Sequence, residues 1–248
     1  MIVSLRRSVE YVGELGLVGA EAFGAILRLR VHLGDTLTQL REIGVRSLPV
    51  VLATILFSAA TFAYHLQAIV QNLGMRDTVG GLVGLAIVRE VAPVMCAVCV
   101  IARCGSAMAA ELGTMRVSEQ IDALVSLTVR PVEYLVAPRL VATTLMMPVH
   151  YAYGLAVGIA GGIAVSWGGG ISTGMFLTSL LEGLEPLDVY GGLIKVVAFG
   201  ILLCLICCTS GLSARGGSRG VGRATTSSVV ISLLVVYALN YLLGVCLW

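Results

Sequence analysis

Long apolar runs separated by short polar intervals dominate the chain, and their lengths predict membrane spans. Residues 45–70 are apolar apart from Arg46 and a few uncharged polar residues. At 1.5 Å per helical residue this run exceeds the roughly 20 residues that a span needs. The interval Gln71 to Asp77 is followed by a long run over 79–110 that is interrupted by Arg89, Glu90, Pro93 and Arg103. Further runs occupy 140–167, 189–212 and 224–248. The third contains Gly158, Gly161 and Gly162, small residues that let helices approach closely. Residues 168–188 read as a loop, with Glu182, Glu185 and Asp188 but no Lys or Arg.

The first 44 residues have a different pattern. Ile2, Leu5, Val9 and Val12, and then Ile26, Leu29, Leu33, Leu37 and Leu40, recur at helical spacing among charged residues. This predicts two amphipathic helices lying at the membrane surface. Glu10, Glu14 and Glu21 interrupt what would be the apolar core of a cleaved signal, and no Ser- and Arg-rich, acid-poor transit segment is present. The expectation is therefore that the N-terminus is retained.

The polar island from Glu111 to Leu124 lies between the second and third spans. As a helix it puts Val117, Ile121, Leu124 and Val125 on one face and Arg116, Glu119, Asp122 and Ser126 on the other. Pro131 disfavours continuation, so a helix over about 115–129 is expected, with apolar sequence resuming at Leu140. Spacing alone favours a connector at the bilayer interface over a docking helix for a soluble partner.

Composition supports the membrane reading. The 248 residues are 58% hydrophobic and only 12% charged, with a mean hydropathy of +0.97. Soluble domains carry about 25% charged residues. The net charge of +2 says little, whereas its distribution decides orientation. Of the sixteen Lys and Arg, thirteen fall on the side of the N-terminus: six before the first span, four from Arg103 to Arg139, and Arg215, Arg219 and Arg223. Arg76 alone is on the other side, and Arg89 and Lys195 fall within spans. The positive-inside rule then puts the N-terminus in the cytoplasm and the C-terminus outside.

Seven cysteines lie in or beside apolar runs. The spacings 96/99 and 204/207 bring no histidine with them, so the thiols read as small packing groups and no metal site is expected. His65 and His150 are lone imidazoles expected to hydrogen-bond within the bundle. The run from Gly217 to Arg223 lacks the Gly-Lys-Ser/Thr ending of a phosphate loop and follows an apolar helix; it reads as a flexible basic turn. No catalytic constellation and no cofactor motif is present, and nothing points to nucleic acid.

Charges within spans are costly, at least about 2.5 to 3.5 kcal/mol each. Arg89 and Glu90, about ten residues from the outer end of their span, point roughly 100° apart on a helix, so each needs its own partner or a wet cavity. Pro93 can kink the helix and free a backbone carbonyl. Lys195, about six residues into its span, either snorkels outward or joins a pathway. Arg103 reads as an anchor to headgroups or to the central helix.

Four blocks carry a family resemblance: Arg89-Glu90-Val-Ala-Pro93-Val with Ala102-Arg103-Cys-Gly105-Ser106-Ala107; the island from Glu111 to Leu124; Leu193-Ile194-Lys195 with Phe199; and Gly220-Val221-Gly222-Arg223-Ala224-Thr225-Thr226. In order and content they resemble the MlaE/YrbE permeases, membrane subunits of lipid-transporting ABC systems that work with MCE-domain proteins. The residues before about 45 share only general character. The resemblance implies an all-α integral membrane protein of the bacterial inner membrane: five transmembrane helices, N-terminal interfacial amphipathic helices, and a cytoplasmic coupling helix between spans two and three. It implies a dimer with a second copy or a paralogue, cytoplasmic ABC ATPase subunits that hydrolyse ATP in place of this chain, an MCE assembly on the outer face, and a lipid substrate such as phospholipid. A small cytoplasmic accessory subunit is compatible with it. Glu111, Gly113, Thr114, Met115, Arg116, Glu119, Gln120 and Asp122 would couple to the ATPase, with Glu119 and Asp122 at the interface and Glu111, Gly113 and Thr114 shaping the turn. Arg89, Glu90, Pro93 and Lys195 would line the lipid pathway. Two other classes use the same residues: an ion-coupled secondary transporter, which would normally show internal repeats, and a non-transporting scaffold, which would tolerate neutral residues at 89 and 90.

Overall fold

The computed structural model describes residues 2–29 and 31–248, without the side chains of residues 2–8. The expectations on the side chains of Ile2, Leu5, Arg6, Arg7 and Arg30 lie outside the described residues. Among the described residues eight helical elements follow one another: α1 (Ile2–Leu27), α2 (Leu33–Asn72), α3 (Arg76–Val117), α4 (Gln120–Ser126), α5 (Val132–Gly168), α6 (Thr173–Gly183), α7 (Pro186–Leu212) and α8 (Gly217–Leu247). No strand occurs among the described residues. Helices α2, α3, α5, α7 and α8 are each long and apolar enough to cross a membrane.

Several boundaries differ from expectation for local physical reasons. Helix α3 carries on past 110 to Val117, because nothing between Ser106 and Val117 breaks a helix. Pro131 does not delay the next helix to Leu140; it sits at the N-cap of the Val132 turn, where its missing N–H costs nothing. The expected loop over 168–188 contains α6. Gly170, with φ of 83°, turns the chain, and the Ser172 hydroxyl accepts from Met175 N at 3.2 Å to cap α6. Gly216 and Gly217 take φ of 90° and 65°, so the reversal is complete by residue 217. Arg219 and Arg223 therefore stand on the first turns of α8, not in a flexible loop.

Four of the long-helix turns are wide, closed by bonds from residue i to i+5: Arg41–Val45, Ile87–Val91, Ile101–Gly105 and Val132–Val136. Both charged interruptions of α3 lie on such turns, Arg89 and Glu90 on one and Arg103 on the other.

The chain divides into two compact units. The first comprises Met1–Arg46, Val100–Met146 and Phe199–Val236. Here α3 and α7 approach through small residues: Gly105 lies against Cys207, and Gly211 against Ala109 and Leu112. Tyr11 ties α1 to α7, its hydroxyl 2.8 Å from Ser210 Oγ and 3.2 Å from Ile206 O. Arg103 donates to Glu42 O at 2.9 Å, which ties it to α2.

The second unit comprises Ser47–Cys99, Met147–Ala198 and Tyr237–Trp248. Gly158, Gly161 and Gly162 of α5 receive Ile55, Leu56, Ile87 and Val83 from α2 and α3, the close contact their size allows. The first turns of α3 lie on α6 through Gly80, Gly81 and Gly84, and Gly81 N donates to Ser179 Oγ at 3.0 Å. A Cβ on Gly80 would overlap the Phe176 carbonyl, which a side-chain rotation cannot relieve.

Gly80→Ala is therefore expected to cost about 2 kcal/mol through overpacking. Gly13→Ala, in open space on α1, should stabilise slightly by helix propensity. Thermal unfolding midpoints in detergent check this, and equal midpoints for the two variants would refute the α3–α6 contact.

Candidate functional site

Arg89, Glu90, Asp188 and Lys195 of the second unit form one network, and its origin is backbone geometry. In the wide turn of α3, Ala92 N bonds to Ile87 O, one residue further back than in a regular helix. Val88 O thereby loses the donor it would have had. Pro93 has no N–H, so neither Val88 O nor Arg89 O can be served from the next turn. Tyr151 from α5 donates to Val88 O at 3.0 Å, and Lys195 from α7 donates to Arg89 O at 3.0 Å.

Lys195 is completely buried, so it does not snorkel. Its ammonium makes a second bond of 2.8 Å to Glu90 Oε1 and stands 4.8 Å from the centre of the Trp248 ring. Glu90 is held on its other oxygen by Asn240 Nδ2 at 2.6 Å, and its side chain remains 51% exposed. Arg89 turns the other way, as the 100° offset requires. It grips Asp188 Oδ1 through Nε at 2.8 Å and Nη2 at 2.6 Å. Trp248 donates from Nε1 to the same oxygen at 3.0 Å and carries the Arg89 guanidinium 4.6 Å from its ring centre.

Asp188 is the hub that sequence reading missed. It accepts from Glu185 N at 2.9 Å, the third-position half of a capping box, with Pro186 at the first helical position. The Glu-Pro-Leu-Asp string from 185 to 188 was a legible helix start, and it moves the beginning of α7 from 189 to Pro186. Arg89 consequently pairs with the first turn of α7 rather than standing isolated at mid-span. Trp248, Asn240 and Tyr151 had no local signal, since their roles depend on distant partners. Pro93 stands just after this turn and acts only through the donor it lacks.

The central polar stretch, in the first unit, is two pieces rather than one helix. Helix α3 ends at Val117, Glu119 takes a left-handed φ of 61°, and α4 covers only Gln120–Ser126. Thr128, with φ of 64°, closes α4 at its other end. Left-handed geometry at non-glycine residues is strained. Arg116 bridges the break with a 2.6 Å ion pair to Asp122, and Ile121 is buried beneath. Val125 is exposed instead of packed, as are Glu119, Gln120 and Leu127. Glu111 pairs with the buried Arg139 of α5 at 2.8 Å. Gly113 lies against Ala214 and Val221, and the Thr114 hydroxyl donates to Ala110 O at 2.8 Å. Met115 is half-buried. Arg215, Arg219 and Arg223 are all exposed. Six of the cysteines are buried and Cys246 is exposed.

Spanning-length helices around a neutralised charge network define a multi-pass α-helical membrane protein. A family model described as Permease MlaE matches residues 36–246. A probable ABC transporter permease protein of Synechocystis is 39% identical over 225 residues, 90% of this chain and 86% of that protein. One of Rickettsia conorii is 38% identical over 242 residues, 96% of this chain and 93% of that protein. The chloroplastic protein TRIGALACTOSYLDIACYLGLYCEROL 1 of Arabidopsis thaliana is 36% identical over 229 residues, 92% of this chain and 65% of that protein. The chain belongs to the MlaE permease family.

Replacing Lys195 by Met leaves Arg89 O and one Glu90 oxygen without a donor. The expected loss is about 2 kcal/mol, below that of a fully buried pair because Glu90 is half exposed. Adding Glu90→Gln should cost less than its separate effect, because the uncompensated charge goes. Denaturation midpoints of the two single variants and the double variant measure the coupling, and strict additivity would show that the pair is not energetically linked.

Proposed function

We propose that this chain is the permease subunit of an ABC-type lipid transporter that moves phospholipid or a related lipid between the inner membrane and an MCE-protein assembly. The observation that carries this is the family match, which spans all five long helices, together with relatives named probable ABC transporter permease proteins. A relative whose name is that of a glycosylated diacylglycerol supports a lipid substrate. Two copies, or this chain and a paralogue, form the working dimer. The N-terminus is cytoplasmic and the C-terminus lies outside, by the distribution of Arg and Lys.

In this reading a separate cytoplasmic ATPase binds the exposed side of α4. Glu119, Gln120 and Asp122 supply polar contacts, while Val125 and Leu127 supply apolar area. ATP-driven closure of two ATPase subunits draws the two α4 segments together and shifts the helices between two arrangements. Glu90, held but half exposed, and its partner Lys195 border the path of the lipid, with Arg89 and Pro93 setting the turn that presents them. The lipid experiences a change in available apolar surface, without bond chemistry.

Purification from the native membrane in mild detergent should recover an ATPase and an MCE-domain protein with the chain. The pair Glu119→Lys and Asp122→Lys should lose the ATPase alone. Asp122→Asn, which removes the ion pair with Arg116 without reversing charge, should keep it. Recovery of the chain without partners, or an ATPase retained by the reversed variant, would overturn the reading.

The pair Arg89→Gln and Glu90→Gln should slow lipid transfer in reconstituted membranes by at least tenfold while the ATPase stays bound. Unchanged transfer would exclude these two residues from the path. Transport by the chain alone under an ion gradient would instead establish a secondary transporter.

A further inference from the structure

The first unit contains a second polar site that has no residue in common with the Arg89–Lys195 network. An open cleft of about 680 Å³ lies between α1, the end of α7 and the start of α8. One wall carries Glu10, Tyr11 and Glu14 of α1; the other carries Ser213, Arg215 and Arg223. Tyr11 and Glu14 are fixed in place, Tyr11 by Ser210 and Glu14 by a 2.8 Å bond from the Ser213 hydroxyl. Burial raises the Tyr11 pKa above its usual value, so the phenol stays neutral and keeps its proton to donate.

The two walls differ in charge. Arg215 and Arg223 make no ion pair with any carboxylate among the described residues, although Glu10 and Glu14 line the same cleft. The left-handed glycines Gly216 and Gly217 reverse the chain between the arginines, and the Arg223 guanidinium lies over Gly216. A cleft with two guanidinium groups on one wall and the Glu14 carboxylate on the other matches a ligand that carries both signs of charge a few ångströms apart. Guanidinium binds phosphate oxygens by paired, charge-assisted hydrogen bonds, and carboxylates take an ammonium.

The depth of the cleft identifies the source of that ligand. Val9, Val12 and Leu17 of the same helix are exposed, at 66%, 65% and 73%. A helix with this apolar face beside Glu10 and Glu14 lies in the boundary between headgroups and acyl chains. The mouth of the cleft is then at headgroup level.

We propose that this cleft binds the headgroup of a zwitterionic, amine-bearing phospholipid, with Arg215 and Arg223 on the phosphodiester and Glu14 facing the ammonium. A lipid seated there bridges α1 to the reversal between α7 and α8 and fastens the N-terminal helix to the membrane. This assignment does not rest on the transport reading.

The test is native mass spectrometry of the delipidated full-length chain in detergent, titrated with phosphatidylethanolamine or phosphatidylglycerol, with inorganic phosphate and free phosphoethanolamine as competitors. Phosphatidylethanolamine should bind about tenfold tighter than phosphatidylglycerol. Arg215→Ala with Arg223→Ala should weaken both lipids by tenfold or more, the effect of losing a charge-assisted contact. Arg215→Lys with Arg223→Lys keeps the charge and should retain most of the binding, which separates loss of the site from misfolding. Glu14→Gln, which can still accept from Ser213, should abolish the preference for the amine-bearing lipid and leave phosphatidylglycerol unchanged.

Unaltered lipid adducts in the double alanine variant would overturn the proposal. Equal affinity for the two lipids in the unmodified chain would overturn the role of the Glu14 carboxylate. Binding of inorganic phosphate as tightly as phosphatidylethanolamine would make this a simple anion site and overturn the lipid assignment.

Discussion

A backbone carbonyl inside a membrane has no water to turn to, and in α3 two adjacent carbonyls lack a helical donor. The wide turn at Ile87–Val91 withdraws one donor, and Pro93 removes the other. Each orphan must be met by a side chain from a neighbouring helix, which brings Tyr151 of α5 and Lys195 of α7 to the same turn. The lysine brings a charge that needs a counter-ion, and Glu90 is in place one residue beyond the carbonyl. Arg89, directed elsewhere by the helical offset, needs its own counter-ion and takes Asp188. Much of the second unit thus follows from one irregular turn.

The network is better understood as a device for specificity than as a source of stability. Moving Lys195 and Asp188 from water costs several kcal/mol each, and the pairing does little more than offset it. The pairing does fix register. Lys195 reaches both Glu90 and Arg89 O only if α3 and α7 are aligned to within a hydrogen bond, and Trp248 adds α8 by touching both cations and Asp188. Apolar side chains at these positions would slide past one another more freely. Glu90 is the member left half exposed, so a change in surroundings acts there first.

Some of this was legible in the sequence and some was not. Five long helices follow from hydropathy, and the need for separate partners at Arg89 and Glu90 follows from helical geometry. Pro93 announced a free carbonyl. The partners themselves were hidden, because the hydrogen bonds that bring Tyr151, Asp188, Asn240 and Trp248 into the network join residues between 60 and 150 positions apart. Lys195 looked able to snorkel because its distance from the helix end was judged against a span beginning at 189. Counting from Pro186 puts it two turns deep, where its ammonium has closer partners than solvent. Helix α6 was taken for a loop because its flanking glycines and acidic residues outweighed eleven residues of modest amphipathicity. The break at Glu119 had no signal at all, since a left-handed turn normally announces itself with glycine or asparagine.

That break changes how the central stretch can work. A single amphipathic helix over 115–129 would be a long arm free to rock about its own junction with the span. The observed α4 is seven residues long, bounded by left-handed Glu119 and Thr128, seated on Ile121 and tied back to the last turn of α3 by Arg116 and Asp122. Such a segment cannot swing independently. Force applied to its exposed face passes directly into the end of α3, and from Glu111 of that helix through the ion pair into Arg139 of α5. The left-handed turns at residues 119 and 128 end α4 on both sides and keep it short. A relaxed glycine at either position would widen the range of angles that α4 can adopt, and would loosen a connection through which a partner bound there could move α3 and α5 together.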